Sequence, residues 1–189
     1  MPGLNTMNDM EAPNAPVQTE LTLQSIYLQE CDYLWRTLRR FGVPARHVED
    51  VAHDVFVVVH ARLAEFDRKR PLRPWLIGIA FRESANFLRK GTQSRELLEE
   101  LDAEDDGASP EDLAIGREAR TLVARALATL EPDRRAVFVL HDLNGESVPD
   151  IAEALEIPLN TAYSRLRLAR EEFAAAVKRI TARAKGATP

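Results

Sequence analysis

Apolar residues recur along this chain mostly three and four positions apart, the period of helices that bury one face. Over residues 159–173, Ala162, Leu166, Ala169 and Phe173 fall on one stripe at about 100° per residue, and Asn160, Tyr163, Ser164 and Arg167 fall on the opposite face. Residues 21–40 predict a first helix, with Leu23, Tyr27, Leu34, Leu38 and Phe41 at helical intervals, Thr19 as N-cap and Gly42 as stop. Pro44 opens a second helix reaching Leu63, whose buried stripe is Val48, Val51, Val55 and Val59, with Ala52 and Phe56 beside it. A third is expected over 75–90. Its apolar arc holds Leu76, Ala80, Phe81, Ser84, Phe87 and Leu88, and the other arc holds Trp75, Ile79, Arg82, Asn86, Arg89 and Lys90. Periodicity restarts over 118–130, and Pro132 opens a helix over 133–143 that Asn144 and Gly145 close. Ser147 then caps a short helix over 151–155, with Asp150 three residues on, and Glu156-Ile157-Pro158 turns into the helix of 159–173. That is the spacing of a helix-turn-helix with the second helix as reader.

The breaks between helices define the organisation. Residues 1–18, low in apolar content and interrupted by prolines, predict a disordered tail. Residues 64–74 are a basic loop, and 91–116 an acidic linker with at most transient helix. The expected fold is all-α: two small helical domains, 19–90 and 117–183, joined by the acidic linker, the C-terminal one a helix-turn-helix.

Composition narrows the function. The 189 residues are 45% hydrophobic and 29% charged, ordinary for a soluble globular protein. The longest apolar runs are too short to span a bilayer and no signal peptide precedes them, so a cytoplasmic protein without membrane insertion is expected. Cys31 is the only cysteine, which rules out an internal disulfide and a cysteine-rich zinc site; its expected role is that of a small buried side chain. His47, His53 and His60 lack the spacing that would converge them on a metal, and no cofactor-binding or catalytic motif occurs. The net charge of −5 argues against nucleic acid until the chain is divided. Residues 21–90 carry +4, 91–120 carry −7, and 159–185 carry +5, so two basic modules flank an acidic strap.

Three faces carry candidate chemistry. On the second helix Asp50, His53, Asp54 and Val57 cluster away from the buried stripe; an exposed valine among acids suggests docking, although a solvated face with one stray apolar residue reads the same way. On the third helix, Trp75 aligned with Arg82, Arg89 and Lys90 suits single-stranded DNA, with cations on the backbone and an indole or nearby pocket for an unstacked base. A core tryptophan with solvated cations explains that arc equally well, with partial burial expected for Trp75. On the last helix, Asn160, Tyr163, Ser164 and Arg167 offer hydrogen-bonding groups, a ring and a guanidinium, with Arg165 and Arg170 flanking towards phosphates. From these faces alone a free-standing transcriptional repressor or activator, or an interaction adaptor, stays open beside a promoter-binding factor; an enzyme finds no support.

Two motifs in order, DVAHDVF (50–56) with PWLIGIA (74–80), and LNGESVPDIAEAL (143–155) with PLNTAYSRLRLARE (158–171), resemble the extracytoplasmic-function sigma factors of the sigma-70 family over residues 21–180. The resemblance implies a non-enzymatic initiation subunit that binds core RNA polymerase, recognises −10 and −35 promoter elements and promotes strand opening. It makes Asp50, His53, Asp54 and Val57 the surface for the clamp of the largest polymerase subunit. It assigns Phe66, Arg68, Lys69, Arg70, Trp75, Arg82 and Asn86 to the −10 element, with Arg89 and Lys90 from the same helical arc. In the last helix it directs Tyr163, Ser164 and Arg167 to −35 bases and Thr161 and Arg165 to phosphates, beside Asn160. Implied partners are core polymerase, promoter DNA and an anti-sigma factor of the kind that holds many members; no cofactor is implied. The chain departs from the common pattern at His53 and Asp54 (Gln and Glu), at Arg82 (Asn) and at Tyr163 (Arg). A tyrosine cannot make arginine's bidentate bond to guanine, so the −35 preference is the chain's own.

Overall fold

The computed structural model describes residues 21–90 and 110–186, and every regular element among them is helical. The tail expected over 1–18, Thr19, and most of the acidic linker lie outside the described residues.

Helix α1 runs Leu23–Phe41. Its N-cap is Thr22, in a reciprocal capping box: Thr22 Oγ1 accepts from the Ser25 amide at 3.1 Å and Ser25 Oγ accepts from the Thr22 amide at 3.0 Å. Gly42, at φ 109°, closes the helix in the left-handed region that favours glycine. Helix α2 (Ala45–Arg62) passes into a 3-10 turn, Leu63–Glu65. Helix α3 runs Leu72–Lys90 and starts earlier than Pro74 suggested in sequence, because a proline in the first turn removes an N–H that has no intrahelical partner anyway.

The first core is formed where α1, α2 and α3 meet. Ile26, Leu34, Leu38, Val48, Val51, Val55, Val59, Leu76 and Ile79 are all at most 1% exposed. Each such side chain contributes about 1.5–3 kcal/mol by leaving water. The expected α2 stripe is buried in full, together with Ala52 and Phe56. Three expectations are corrected here. Tyr27 is half exposed, because Ile26, one position away, points into the core. Ile79, expected on the cationic arc, is buried, because α3 is covered on two sides, by α1 and α2 and by the following module. Cys31 is only partly buried.

Helix α4 runs Pro110–Ala128, α5 Pro132–Phe138, a π-helical turn Val139–Leu143, α6 Val148–Ala154 and α7 Leu159–Gly186. Helix α4 thus begins ahead of 118, inside the expected linker, with Pro110 at the first helical position. Asn144 and Gly145 end the π-helical turn, Gly145 at φ 80°. Ala162, Leu166 and Ala169 of α7 pack with Leu127, Val137, Leu140 and Ile151. Phe173 closes this core from its edge, its ring stacked on Phe138 at 4.6 Å. Arg135 is buried beside it, donating to the carbonyls of Leu130 at 3.0 Å and Phe41 at 3.1 Å. It thereby satisfies helix-end carbonyls of two modules.

The modules pack on each other. Phe41 and Ile77, from the first module, sit in the core of the second at 4% and 2% exposure. Asn144 forms a polar node beside them: its Nδ2 donates to Tyr33 Oη at 3.1 Å and Thr37 Oγ1 at 3.0 Å, and its Oδ1 accepts from Arg40 at 2.6 Å. Tyr33 in turn donates to Glu146 at 2.9 Å.

Candidate nucleic-acid and polymerase interfaces

On α2, the helical repeat that sends Val51, Val55 and Val59 inward turns Asp50, His53, Asp54 and Val57 outward, and all four are exposed. Val57 is 54% exposed. It borders a groove of about 590 Å³ shared with α1, where the half-exposed Tyr27 ring lies 5.0 Å from Phe56. Tyr27 lines this groove, and Leu28 of α1 is 73% exposed. Sequence periodicity missed both, since it placed Tyr27 in the core and gave no signal for Leu28.

The loop between α2 and α3 is shaped by Asp67, whose side chain accepts from the Lys69 amide at 3.0 Å and whose carbonyl accepts from the Arg70 amide at 3.0 Å. That turn leaves Arg68, Lys69 and Arg70 exposed. Phe66 and Trp75 are half-buried, their rings 4.7 Å apart at 38°, so the indole packs under the loop at the domain edge, with one side against Phe66. Arg82 and Asn86 are partly exposed, and Arg89 and Lys90 are exposed; Asn86 accepts from Arg89 at 2.5 Å. A polar cleft of about 420 Å³ lies between this loop and α6. Across it, Arg70 pairs with Glu153 and Arg82 donates to Glu156 at 3.0 Å. These acids were missed in sequence because nothing local marks them as partners of residues more than seventy positions away.

Ser147 and Asp150 build the N-terminus of α6, the Ser147 hydroxyl accepting from the Asp150 amide and donating to its carboxylate at 2.6 Å. The turn that follows closes through the Ile157 amide on Ala152 at 2.9 Å, with Glu156 at φ 57°. A left-handed residue in this place is the Schellman arrangement that glycine usually fills. The turn carries α7 outward so that Asn160, Tyr163, Ser164 and Arg167 are exposed, Tyr163 at 52%, while Thr161 is half-buried. The three arginines of this region have carboxylate partners: Arg165 with Asp133 at 2.5 Å, Arg167 with Glu171 at 2.7 Å, and Arg170 with Asp142 at 2.5 Å. Exposed pairs of this kind contribute about 0–1 kcal/mol each, so a phosphate or base edge can replace the carboxylate.

No described helix is long and apolar enough to cross a membrane. The described elements thus present three separate faces in chain order: acids with a valine, aromatics with cations, and the polar outer face of the second helix of a helix-turn-helix.

Comparisons with known proteins agree with that order. Residues 26–95 match the model of sigma-70 region 2 and residues 120–173 that of sigma-70 region 4. The ECF RNA polymerase sigma-E factor of Escherichia coli K12 is 30% identical over 139 residues, covering 68% of this chain and 73% of the relative. The RNA polymerase sigma factor CnrH of Cupriavidus metallidurans is 30% identical over 151 residues, covering 75% and 79%. Among solved structures, CnrH in complex with the cytosolic domain of CnrY superposes with a TM-score of 0.61 at 26% identity, covering 82% of this chain and 87% of that one. The sigma factor RpoE of Bartonella quintana, in complex with the anti-sigma factor NepR, shares the fold with a TM-score of 0.63 at 23% identity, covering 82% and 96%. With both regions matched in order and relatives covered over most of their length, the chain belongs to the extracytoplasmic-function sigma factors of the sigma-70 family, the promoter-recognition subunits of bacterial RNA polymerase.

Proposed function

We propose that this sigma factor works as two units, a −10 module over 19–90 and a −35 module over 117–183, acting in the cytoplasm through binding energy alone. The face of Asp50, His53, Asp54 and Val57 docks on the clamp of the largest polymerase subunit. Phe66, Arg68, Lys69, Arg70, Trp75, Arg82, Asn86, Arg89 and Lys90 hold and unpair the −10 element, cations on phosphates and aromatics beside an extruded base. Tyr163, Ser164 and Arg167, with Asn160, read −35 base edges in the major groove, and Thr161 and Arg165 set the helix on phosphates. Capture of an unpaired base favours the melted state, and docking one module raises the local concentration of the other at the promoter.

The observation that carries this reading is that Val57 and the acids beside it stand exposed on α2 while the reader face of α7 stands exposed on the other module. A free-standing repressor needs the second face and not the first. The test is transcription: purified chain, core polymerase and a promoter library, with transcripts sequenced from their 5′ ends. Discrete start sites preceded by a shared two-part element are expected. Duplex binding without association with core would instead favour the repressor reading. The solved relatives carry CnrY and NepR, and an anti-sigma partner is proposed here on that likeness.

A further inference from the structure

We propose that the cavity where the end of α1 meets α4 and α5 binds a nucleotide with a phosphate chain: its arginines hold the phosphates, and its apolar floor receives the base. None of the residues used belongs to the promoter and polymerase contacts proposed above, so the site stands or falls separately from them.

The cavity measures about 480 Å³, within the range of small-molecule sites. Arg36, Arg39 and Arg40 reach it from α1, Arg117 and Arg120 from α4, and Arg135 from α5. No described lining residue is acidic. On α1 and α4 the arginines are three or four positions apart, so like charges stand side by side, an arrangement that destabilises a helix. A polyanion bound among them removes that repulsion. Val123, Leu127 and Leu143 give the same cavity an apolar surface. An inorganic anion would leave that surface wet, whereas a nucleobase covers it, and guanidinium planes stack on base faces.

Two of the arginines lack a counterion. Arg135 is 7% exposed and donates to the carbonyls of Phe41, Ala128 and Leu130, while its Nε has no partner among the described residues. Arg40 donates to the side-chain oxygen of Asn144 at 2.6 Å. All these acceptors are neutral. Burial pushes both guanidinium groups below their ordinary values, and the charge of Arg36 lowers Arg40 further; Glu131 opposes the shift at Arg135, and Tyr33 that at Arg40. A guanidinium buried among neutral partners keeps an unbalanced charge, which a phosphate in the same cavity balances. Phosphate also suits the cluster better than a carboxylate, because each phosphoryl group offers more acceptor oxygens and more charge to forked donors.

The test uses the full chain without polymerase or DNA, with ATP and GTP as probes in isothermal titration calorimetry at low salt. Saturable binding to one site per chain is expected. Arg36→Gln with Arg120→Gln takes a charge from each of two walls and is expected to weaken binding about tenfold or more. Arg125→Gln with Arg179→Gln, the same charge change on exposed residues outside the cavity, should keep affinity within about twofold. Ala124→Leu fills the cavity without changing charge and should abolish binding; if that chain does not fold, the glutamine variants decide. Inorganic tripolyphosphate should bind about tenfold more weakly than ATP, since it has nothing to lay on the apolar floor. Absence of binding, or an equal loss in the control pair, would overturn the site. Tripolyphosphate matching ATP would overturn the nucleotide assignment, and displacement of ATP by an equal concentration of a short polyglutamate peptide would overturn it in favour of carboxylates.

Discussion

Arg170 grips Asp142 with one edge of its guanidinium, Nε donating to one carboxylate oxygen at 2.8 Å and Nη2 to the other at 2.5 Å, and so ties α7 to the π-helical turn. Those bonds, helped by His141 and opposed by partial burial, hold the Asp142 carboxyl below its ordinary range. A carboxyl depressed in the folded state stabilises the fold above its unfolded value, near 3.9, and that stabilisation fades as pH falls through the lower folded value. Arg170→Gln is therefore expected to lower stability at pH 7 by up to about 1 kcal/mol, as for an exposed pair. The deficit should shrink below about pH 3.9. Urea unfolding of both proteins at pH 7 and pH 3 tests this, and a deficit that stays constant with pH would show that Arg170 acts through packing.

Arg167 and Arg165 are two residues apart on α7 but point to different surroundings: Arg167 is exposed beside Glu171, and Arg165 is partly covered and anchored on Asp133 of α5. Arg167→Ala is expected to cost about 1–3 kcal/mol on the best −35 sequence and to relax selection at one base position. Arg165→Ala should weaken all promoters alike and reduce the salt slope by about 1. Selection from a randomised −35 library with each variant separates the two. Uniform losses from both would place Arg167 on the phosphates as well.

How far the sequence exposes this arrangement depends on the range of the interaction. The valines of α2 are legible because each occupies a 3.6-residue step on a helix covered from one side. Ile79 is not, because α3 is packed by both modules and its run from Leu76 to Ala80 is buried all round, which erases the amphipathic signal. Pro74 falls in the expected loop and Pro110 in the expected linker, although both lie in first turns, where proline fits. The exposed polar face of α7 follows from its own periodicity. The acids that meet Arg70, Arg82 and Arg165 do not, because an ion pair between helices distant in sequence leaves no period in either partner.

Val57 is half exposed and packs on little, so its replacement has little fold to disturb. Val57→Glu is expected to leave stability within about 0.5 kcal/mol, as for surface positions away from caps and cores. Against core polymerase the same change places a third acid beside Asp50 and Asp54 and removes apolar area from the docking face. A loss of affinity of tenfold or more, about 1.4 kcal/mol, is expected in a binding titration, with promoter-duplex binding by the free chain unchanged. Equal affinity would take α2 out of the polymerase interface.

Glu156 combines a backbone cost with a side-chain gain, and two substitutions separate them. At φ 57° a residue with a Cβ is strained relative to glycine by about 1–2 kcal/mol. The side chain recovers about 0–1 kcal/mol through its exposed pair with Arg82. Glu156→Ala loses the pair and keeps the strain, so it should be less stable than the native chain. Glu156→Gly loses the pair and the strain together, so it should be more stable than Glu156→Ala by about 1 kcal/mol. Thermal melts of both variants provide the comparison, and Tm values in the reverse order would mean that the turn after α6 does not hold its left-handed residue in solution.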